Sequence, residues 1–347
     1  MSDESLLRVD NVSKRFNVRG RLLHAVEQVS FDLDAGQTLG LVGESGSGKS
    51  TLGRVVLRLL EADGGRVVFQ GRDLGKLSKK EIRLARRHMQ IIFQDPLASL
   101  NPRMTVGAAI EDAMRIQGLY AKAERWRRVY ELLDRVGLPR AAARAFPFEL
   151  SGGQQQRVGI ARALSVGPKV VVCDEPISAL DVSIQMQIMK LLQDLQREMN
   201  LAYLFISHNL GVVQYLSDSV MVLYLGEVVE KASAEELFRA PAHPYTRMLL
   251  ASILRVPDSE EDRHPLVMVP GEMPSPFAPP SGCPFHPRCP LAIDRCKTDK
   301  PLLREVTQDH LAACHRAEEV LGAGFAVNDA IVGDENNVAG ELNRIAI

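Results

Sequence analysis

The chain is 347 residues long, 46% hydrophobic and 24% charged, with 42 basic and 43 acidic residues and a net charge of −1. These are the values of an ordinary globular protein, long enough for two domains or for one domain with an appendage. They exclude a global electrostatic attraction to nucleic acid or to anionic membrane, leaving only a local basic patch as a route to either.

The N-terminal "MSDESLLRVDNV" is acidic and lacks the charged start and apolar run of a secretion signal. No apolar run reaches the roughly 18 residues of a membrane span. The expectation is a cytosolic chain whose membrane work, if any, goes through partners. Alternating apolar residues at Leu7, Val9 and Val12, then at Val26, Val29, Phe31 and Leu33, predict early strands. "TLGLVG" at 38–43 predicts a short buried strand running into the glycine-rich "GESGSGKST" at 43–51, and "STLGRVVLRLL" continues as a helix. "RVVFQG" and "MQIIFQD" read as further strands. From about 97 to 150 the spacing turns helical, as in "VGAAIEDAM" and "ERWRRVYELLDRV".

A helix at 152–166 is followed by "KVVVCDEP", a helix at 183–198, "LAYLFISH" and "SVMVLYLGEVVE". The unbroken apolar run Val170 to Val172 suits a central parallel strand covered on both faces. The pattern predicts a doubly wound α/β core with an inserted helical subdomain at about 97–165. From 256 onward proline and glycine become dense and periodicity fades, which marks a second unit to about 320; residues 321–347 are small and polar and read as a flexible tail.

Gly43, Gly48, Lys49 and Ser50 satisfy the phosphate-loop spacing. The glycines let backbone N–H groups close on phosphate oxygens at a helix N-terminus, Lys49 reaches the β/γ oxygens, and the Ser50 hydroxyl binds Mg²⁺. The whole segment Gly43, Glu44, Ser45, Gly46, Ser47, Gly48, Lys49, Ser50 and Thr51 is the predicted nucleotide cradle. "VVVCDEP" supplies Asp174 and Glu175 at the end of an apolar strand: one carboxylate for Mg²⁺, directly or through water, and one to orient or deprotonate an attacking water. In "LSGGQQQR", Ser151 and Gln154 have capping-box spacing, so a helix starts there. Gly152 and Gly153 in its first turn each cost up to about 1 kcal/mol relative to alanine. Something must approach that backbone closely.

These residues and their order resemble the ATPase subunits of ATP-binding cassette (ABC) transporters over residues 5–255. The resemblance implies a P-loop NTPase core, with a RecA-like sheet, an N-terminal antiparallel β subdomain and the inserted helices, and it implies ATP and Mg²⁺. It gives Phe16 in "SKRF" the place of the aromatic that stacks on adenine and Gln94 in "FQDP" that of the glutamine touching Mg²⁺ and the attacking water. "SALD", Ser178, Ala179, Leu180 and Asp181, matches the loop crossing to a partner subunit. His208 matches the switch histidine at the γ-phosphate. Asn209 departs from the aspartate many relatives carry there. In the family the helix start at Ser151, Gly152, Gly153 and Gln154 covers a nucleotide held by the other member of a head-to-tail pair, which answers why one chain has two phosphate-facing segments.

"QDPLASLNPRMTVG", "HPYTRMLLASI" and the cysteine-bearing tail resemble the dipeptide/oligopeptide/nickel importer branch, above all its second ATPase subunit. That implies a heterodimer with a homologous ATPase, two membrane permease subunits docking on residues 97–150, an extracytoplasmic substrate-binding protein, and peripheral attachment to the cytoplasmic face of the inner membrane. Nickel, glutathione or an opine-like solute could replace peptide, and a soluble cassette ATPase acting on nucleic acid or ribosomes is the rival class. Four thiolates at Cys283, Cys289, Cys296 and Cys314 can hold zinc or a [4Fe-4S] cluster. In the importer branch these positions resemble iron–sulfur ligands; unligated cysteines or disulfides are the other readings, and His286 and His315 stand close enough in sequence to substitute. Cys173 reads as a small core residue.

Overall fold

The computed structural model describes residues 5–252 and 271–323. The composition change at 256 and nearly all of the tail at 321–347 lie outside the described residues.

The first two apolar patterns form long strands β1 (Leu7–Val18) and β2 (Arg21–Leu33), paired antiparallel with Leu7 opposite Leu33, Val9 opposite Phe31 and Val12 opposite Val29. The alternation that predicts them is therefore one buried face shared across the ladder. β4 (Gly64–Phe69) and the short β5 (Arg72–Asp73) complete a four-stranded antiparallel sheet in the order β2-β1-β4-β5.

The second sheet has eight strands. Five are parallel: β3 (Thr38–Val42), β6 (Met89–Ile92), β7 (Val170–Asp174), β8 (Ala202–Ile206) and β9 (Ser219–Tyr224), arranged β9-β3-β8-β7-β6. Every residue of β3, β7 and β8 is buried, as continuous apolar runs require when helices cover both faces. β10 (Glu227–Ser233) turns back antiparallel to β9. Between β6 and β7 lie the predicted helices, Val106–Ile116 and Lys122–Arg135, leading into Gly152–Leu164. The helix after the phosphate loop is shorter than its apolar pattern: it covers Lys49–Val56, and Arg58 at φ 57° takes the chain out of it.

The described part of the C-terminal segment extends the main sheet. Its strands β11 (Arg304–Thr307) and β12 (His310–Ala312) join the main sheet, β12 pairing antiparallel with β10 through Glu230 opposite Ala312. Phe285, Cys283 and Cys296 belong to the same buried cluster as β7 and β9. At three and four residues these strands are too short to show a period, which is why the sequence pattern misses them.

Candidate functional site

Four parallel strands end side by side, and each delivers one piece of the site from its carboxyl end, the edge where open α/β sheets place ligands. β3 runs into the phosphate loop, β6 into Gln94, β7 into Asp174 and Glu175, and β8 into His208; the register aligns Leu41 with Ile206, Asp174 with Ile206 and Ile92 with Cys173. The result is an open cleft of about 670 Å³ whose walls include Phe16, Gly46, Lys49, Gln94, Glu175 and His208. Ser45, Gly48, Ser50 and Thr51 line it as well. Residues 16 and 208 are far apart in the sequence; the fold brings them to one cavity.

The loop is tightly specified. Gly48 has φ 102°, and a Cβ there would lie 2.1 Å from the Ala25 carbonyl, so neither the backbone angle nor the space admits another residue. Gly43 and Ser47 are buried. Lys49 is 5% exposed and donates to the carbonyls of Gly43 at 2.7 Å and Glu44 at 2.8 Å. Burial lowers its pKa, and the charges of Glu175, Asp174 and Glu44 oppose that shift. Ser50 Oγ donates to Asp174 Oδ1 at 2.7 Å, which places a hydroxyl and a carboxylate oxygen together as a hard-cation site needs.

Glu175 is the hub of the remaining groups. Gln94 Nε2 donates to its Oε2 at 3.1 Å, and His208 Nδ1 lies 3.0 Å from the same oxygen. Its backbone sits at φ 48°, in the left-handed region that costs a non-glycine residue of order 1–3 kcal/mol. Its N–H donates to the Ile206 carbonyl at 3.0 Å, locking that turn onto the neighbouring strand. A carboxylate, an amide and an imidazole thus converge at the mouth of the cleft, able to hold and deprotonate a water beside a bound phosphate.

The helix start at Ser151 carries the reciprocal cap that its spacing predicts. Ser151 Oγ accepts from the Gln154 N–H at 3.4 Å while Gln154 Oε1 accepts from the Ser151 N–H at 3.0 Å, a reciprocal cap on the helix Gly152–Leu164. Ser151 and Gly152 are exposed, but Gly153 is buried. A Cβ on Gly153 would sit 2.6 Å from Ile184 Cγ2, so this glycine also serves the packing against the helix Val182–Met199. A Cβ on Gly152 would meet only Leu180, at 3.5 Å. Asp181 caps that same neighbouring helix, accepting from the Ile184 N–H at 3.0 Å, a bond that holds its carboxyl below the usual range. Ser178 donates to the Glu175 carbonyl at 3.1 Å, which ties the segment of Ser178, Ala179, Leu180 and Asp181 to the cleft. Asn209 also turns out to be a cap: its Oδ1 accepts from the N–H groups of Gly211 and Val212. Asparagine and aspartate perform that task equally well, so the departure has a local structural use.

Cys283, Cys289, Cys296 and Cys314 line one small pocket together with His243, His286 and His315. None of the four is paired in a disulfide among the described residues. Burial pushes Cys289 up to about 12, Cys314 up to about 11 and Cys283 above its ordinary value. His286 and His315 each engage a ring nitrogen with a carbonyl, of Cys283 and Asp299 respectively. Among the described residues no three of His, Cys, Asp and Glu are placed to hold a metal ion. The single-zinc geometry is therefore absent. Cys173 lies in β7 at 0% exposure, a core residue.

Sequence reasoning missed three residues around the loop. Tyr245 OH accepts from the Glu44 N–H at 2.9 Å, Arg288 grips the Glu44 carboxylate, and Pro276 forms part of the cleft wall next to His24. Tyr245 and Arg288 belong to "HPYTRMLL" and "PFHPRC", stretches whose composition alone gives no sign of contact with a loop 200 residues earlier.

A phosphate loop and a carboxylate hub at the ends of a parallel sheet define a P-loop nucleoside triphosphatase. The family model "ABC transporter" matches residues 26–178 and "Oligopeptide/dipeptide transporter, C-terminal region" matches residues 229–296. A putative peptide import ATP-binding protein of Brucella ovis is 50% identical over 317 residues, covering 91% of this chain and 99% of the relative. The oligopeptide transport ATP-binding protein AppF of Bacillus subtilis is 45% identical, covering 90% and 98%. The dimeric post-hydrolysis structure of the ATP-binding cassette MJ0796 with ADP and Pi superposes with TM-score 0.61 at 29% identity, over 66% of this chain and 98% of that one. The chain belongs to the ATPases of ABC transporters, in the branch of the peptide import ATP-binding proteins. Members of this family hydrolyse ATP and work with membrane permease components. Among the described residues no helix is long and apolar enough to cross a membrane.

Proposed function

We propose that this chain energises the uptake of di- and oligopeptides, as one of two homologous but non-identical ATPases on the cytoplasmic face of the inner membrane, beneath two permeases fed by a substrate-binding protein. The observation that carries the reading is the division of phosphate-facing groups between two places on one molecule: a complete loop and hub in the cleft, and a capped helix start at Ser151 with its exposed Gly152. A head-to-tail pair brings the second of these to the first of its partner, so ATP joins the two chains and its hydrolysis releases them.

In the cleft, Phe16 stacks on the base, and the loop from Gly43 to Thr51 wraps the phosphates. Lys49 exchanges its own loop's carbonyls for phosphate oxygens. Glu175 takes the proton of the attacking water, with Gln94 and His208 fixing its carboxylate. Ser50, Asp174 and Gln94 would hold Mg²⁺, which neutralises phosphate charge when bound. The exposed Leu97 and Phe148, the latter 66% exposed and stacked on Phe146, suit the helical segment 97–150 as the face that receives the permease. The test is uptake of a labelled dipeptide into vesicles holding the assembled transporter. Peptide-stimulated ATP hydrolysis with peptide accumulation supports the reading; stimulation by nickel, glutathione or an opine alone would replace the substrate class.

The four cysteines around one pocket favour a [4Fe-4S] cluster over zinc, because a cluster takes one thiolate per iron and needs no single point common to all four sulfurs. Bound there, it would cross-link the extension. Anaerobically purified protein is expected to contain about four irons per chain and to absorb in the visible; a colourless, iron-free protein refutes the cluster.

A further inference from the structure

We infer that Arg288 is a positioning residue of the ATP site, through which nucleotide binding at the phosphate loop is coupled to the order of the cysteine-bearing extension.

Arg288 ends the short turn His286–Arg288 between Cys283 and Cys289. Its side chain is 4% exposed, and its guanidinium forks onto Glu44, with Nη1 to Oε2 at 2.7 Å and Nη2 to Oε1 at 2.9 Å. Glu44 is the second residue of the phosphate loop, and the loop's backbone is gripped at the same place: Lys49 holds its carbonyl and Tyr245 its N–H. A fixed guanidinium fork sets the direction of the carboxylate as well as its charge. The contact spans 244 residues of sequence and is seated in an aromatic plate, with Tyr224, Tyr245 and Phe285 ring centroids 4.8–5.3 Å apart. The same Phe285 lines the cysteine pocket. One rigid assembly therefore has the phosphate loop on one side and the cysteines on the other.

Charge decides the direction of the effect. Glu44 is one of three carboxylates whose field reaches Lys49. Paired with Arg288 it is neutralised; unpaired, it places a negative charge in the loop that must accept a polyanion. Losing Arg288 should thus weaken ATP binding, and losing the Glu44 charge as well should restore it. By thermodynamic reciprocity, bound ATP must steady the turn that carries Arg288.

The experiment measures MgATP affinity of the full chain by calorimetry, together with amide hydrogen exchange over residues 283–296 with and without nucleotide. Arg288→Met, which keeps the stem's packing, is expected to weaken MgATP about tenfold, within the usual range of coupling between sites. Glu44→Gln combined with Arg288→Met should recover to within about threefold of the native affinity. Arg288→Lys, with the charge but without the fork, should fall between the native chain and Arg288→Met. MgATP should slow exchange across 283–296 in the native chain and leave it unchanged in Arg288→Met. Native affinity in Arg288→Met, no recovery in the double variant, or exchange in the native chain indifferent to nucleotide would each overturn the proposal.

Discussion

The phosphate loop and the helix start at Ser151, the two segments proposed to meet phosphate, are built in opposite ways. The loop is buried and crowded: Lys49 is 5% exposed, Gly48 has the Ala25 carbonyl against it, and Glu44 is held at carboxylate, carbonyl and N–H. At the helix start the two capping side chains satisfy the Ser151 and Gln154 N–H groups, and Ser151 and Gly152 face solvent. Among the described residues the N–H groups of Gly152 and Gly153 have no acceptor, which suits this surface to an anion that arrives from outside. In the proposed pair the preorganised face would hold nucleotide and the open face would close on the partner's.

That contrast can be broken most sharply at the cleft. Glu175→Gln keeps the shape of the hub but cannot accept a proton, so turnover should fall by roughly 10²–10⁴-fold while ATP is still bound. Phosphate release and ATP affinity measured on the same assembled transporter check this, and rapid turnover would remove Glu175 from its role. The open face calls for a finer comparison between its two glycines. Gly153→Ala drives a methyl toward Ile184 and should cost about 1–3 kcal/mol of folding stability, seen in denaturant or thermal melts. Gly152→Ala meets only Leu180 at 3.5 Å, an ordinary contact, so its stability should hold or rise slightly. Its loss should appear instead in ATP-driven pairing followed by light scattering. Unimpaired pairing in Gly152→Ala would mean that the helix start does not meet a nucleotide.

Much of this was readable in the chain because the relevant physics is local. Apolar alternation marked β1 and β2, unbroken apolar runs marked β7 and β8, and the glycine spacing marked the loop, since a tight turn around phosphate admits few other residues. Ser151 and Gln154 announced their cap for the same reason. Where the deciding contact is distant the sequence is silent. The packing of Gly153 on Ile184 and the cap made by Asn209 appear only once the helices are assembled. The two strands of the extension gave no signal because three- and four-residue strands have no period, while their membership in the main sheet is fixed by pairing that leads back to β10.

The sequence by itself determined which groups the protein would use: the loop, the carboxylates, the glutamine, the histidine, the capped helix and four cysteines. Tertiary structure alone decided their company. Only the parallel sheet brings Gln94, Glu175 and His208 to one carboxylate oxygen, and only the return of the C-terminal segment sets Arg288 on Glu44. The reason is physical: spacing within a turn or strand follows from backbone geometry at short range, whereas contacts across hundreds of residues depend on how whole buried faces pack, and no short stretch of sequence encodes that.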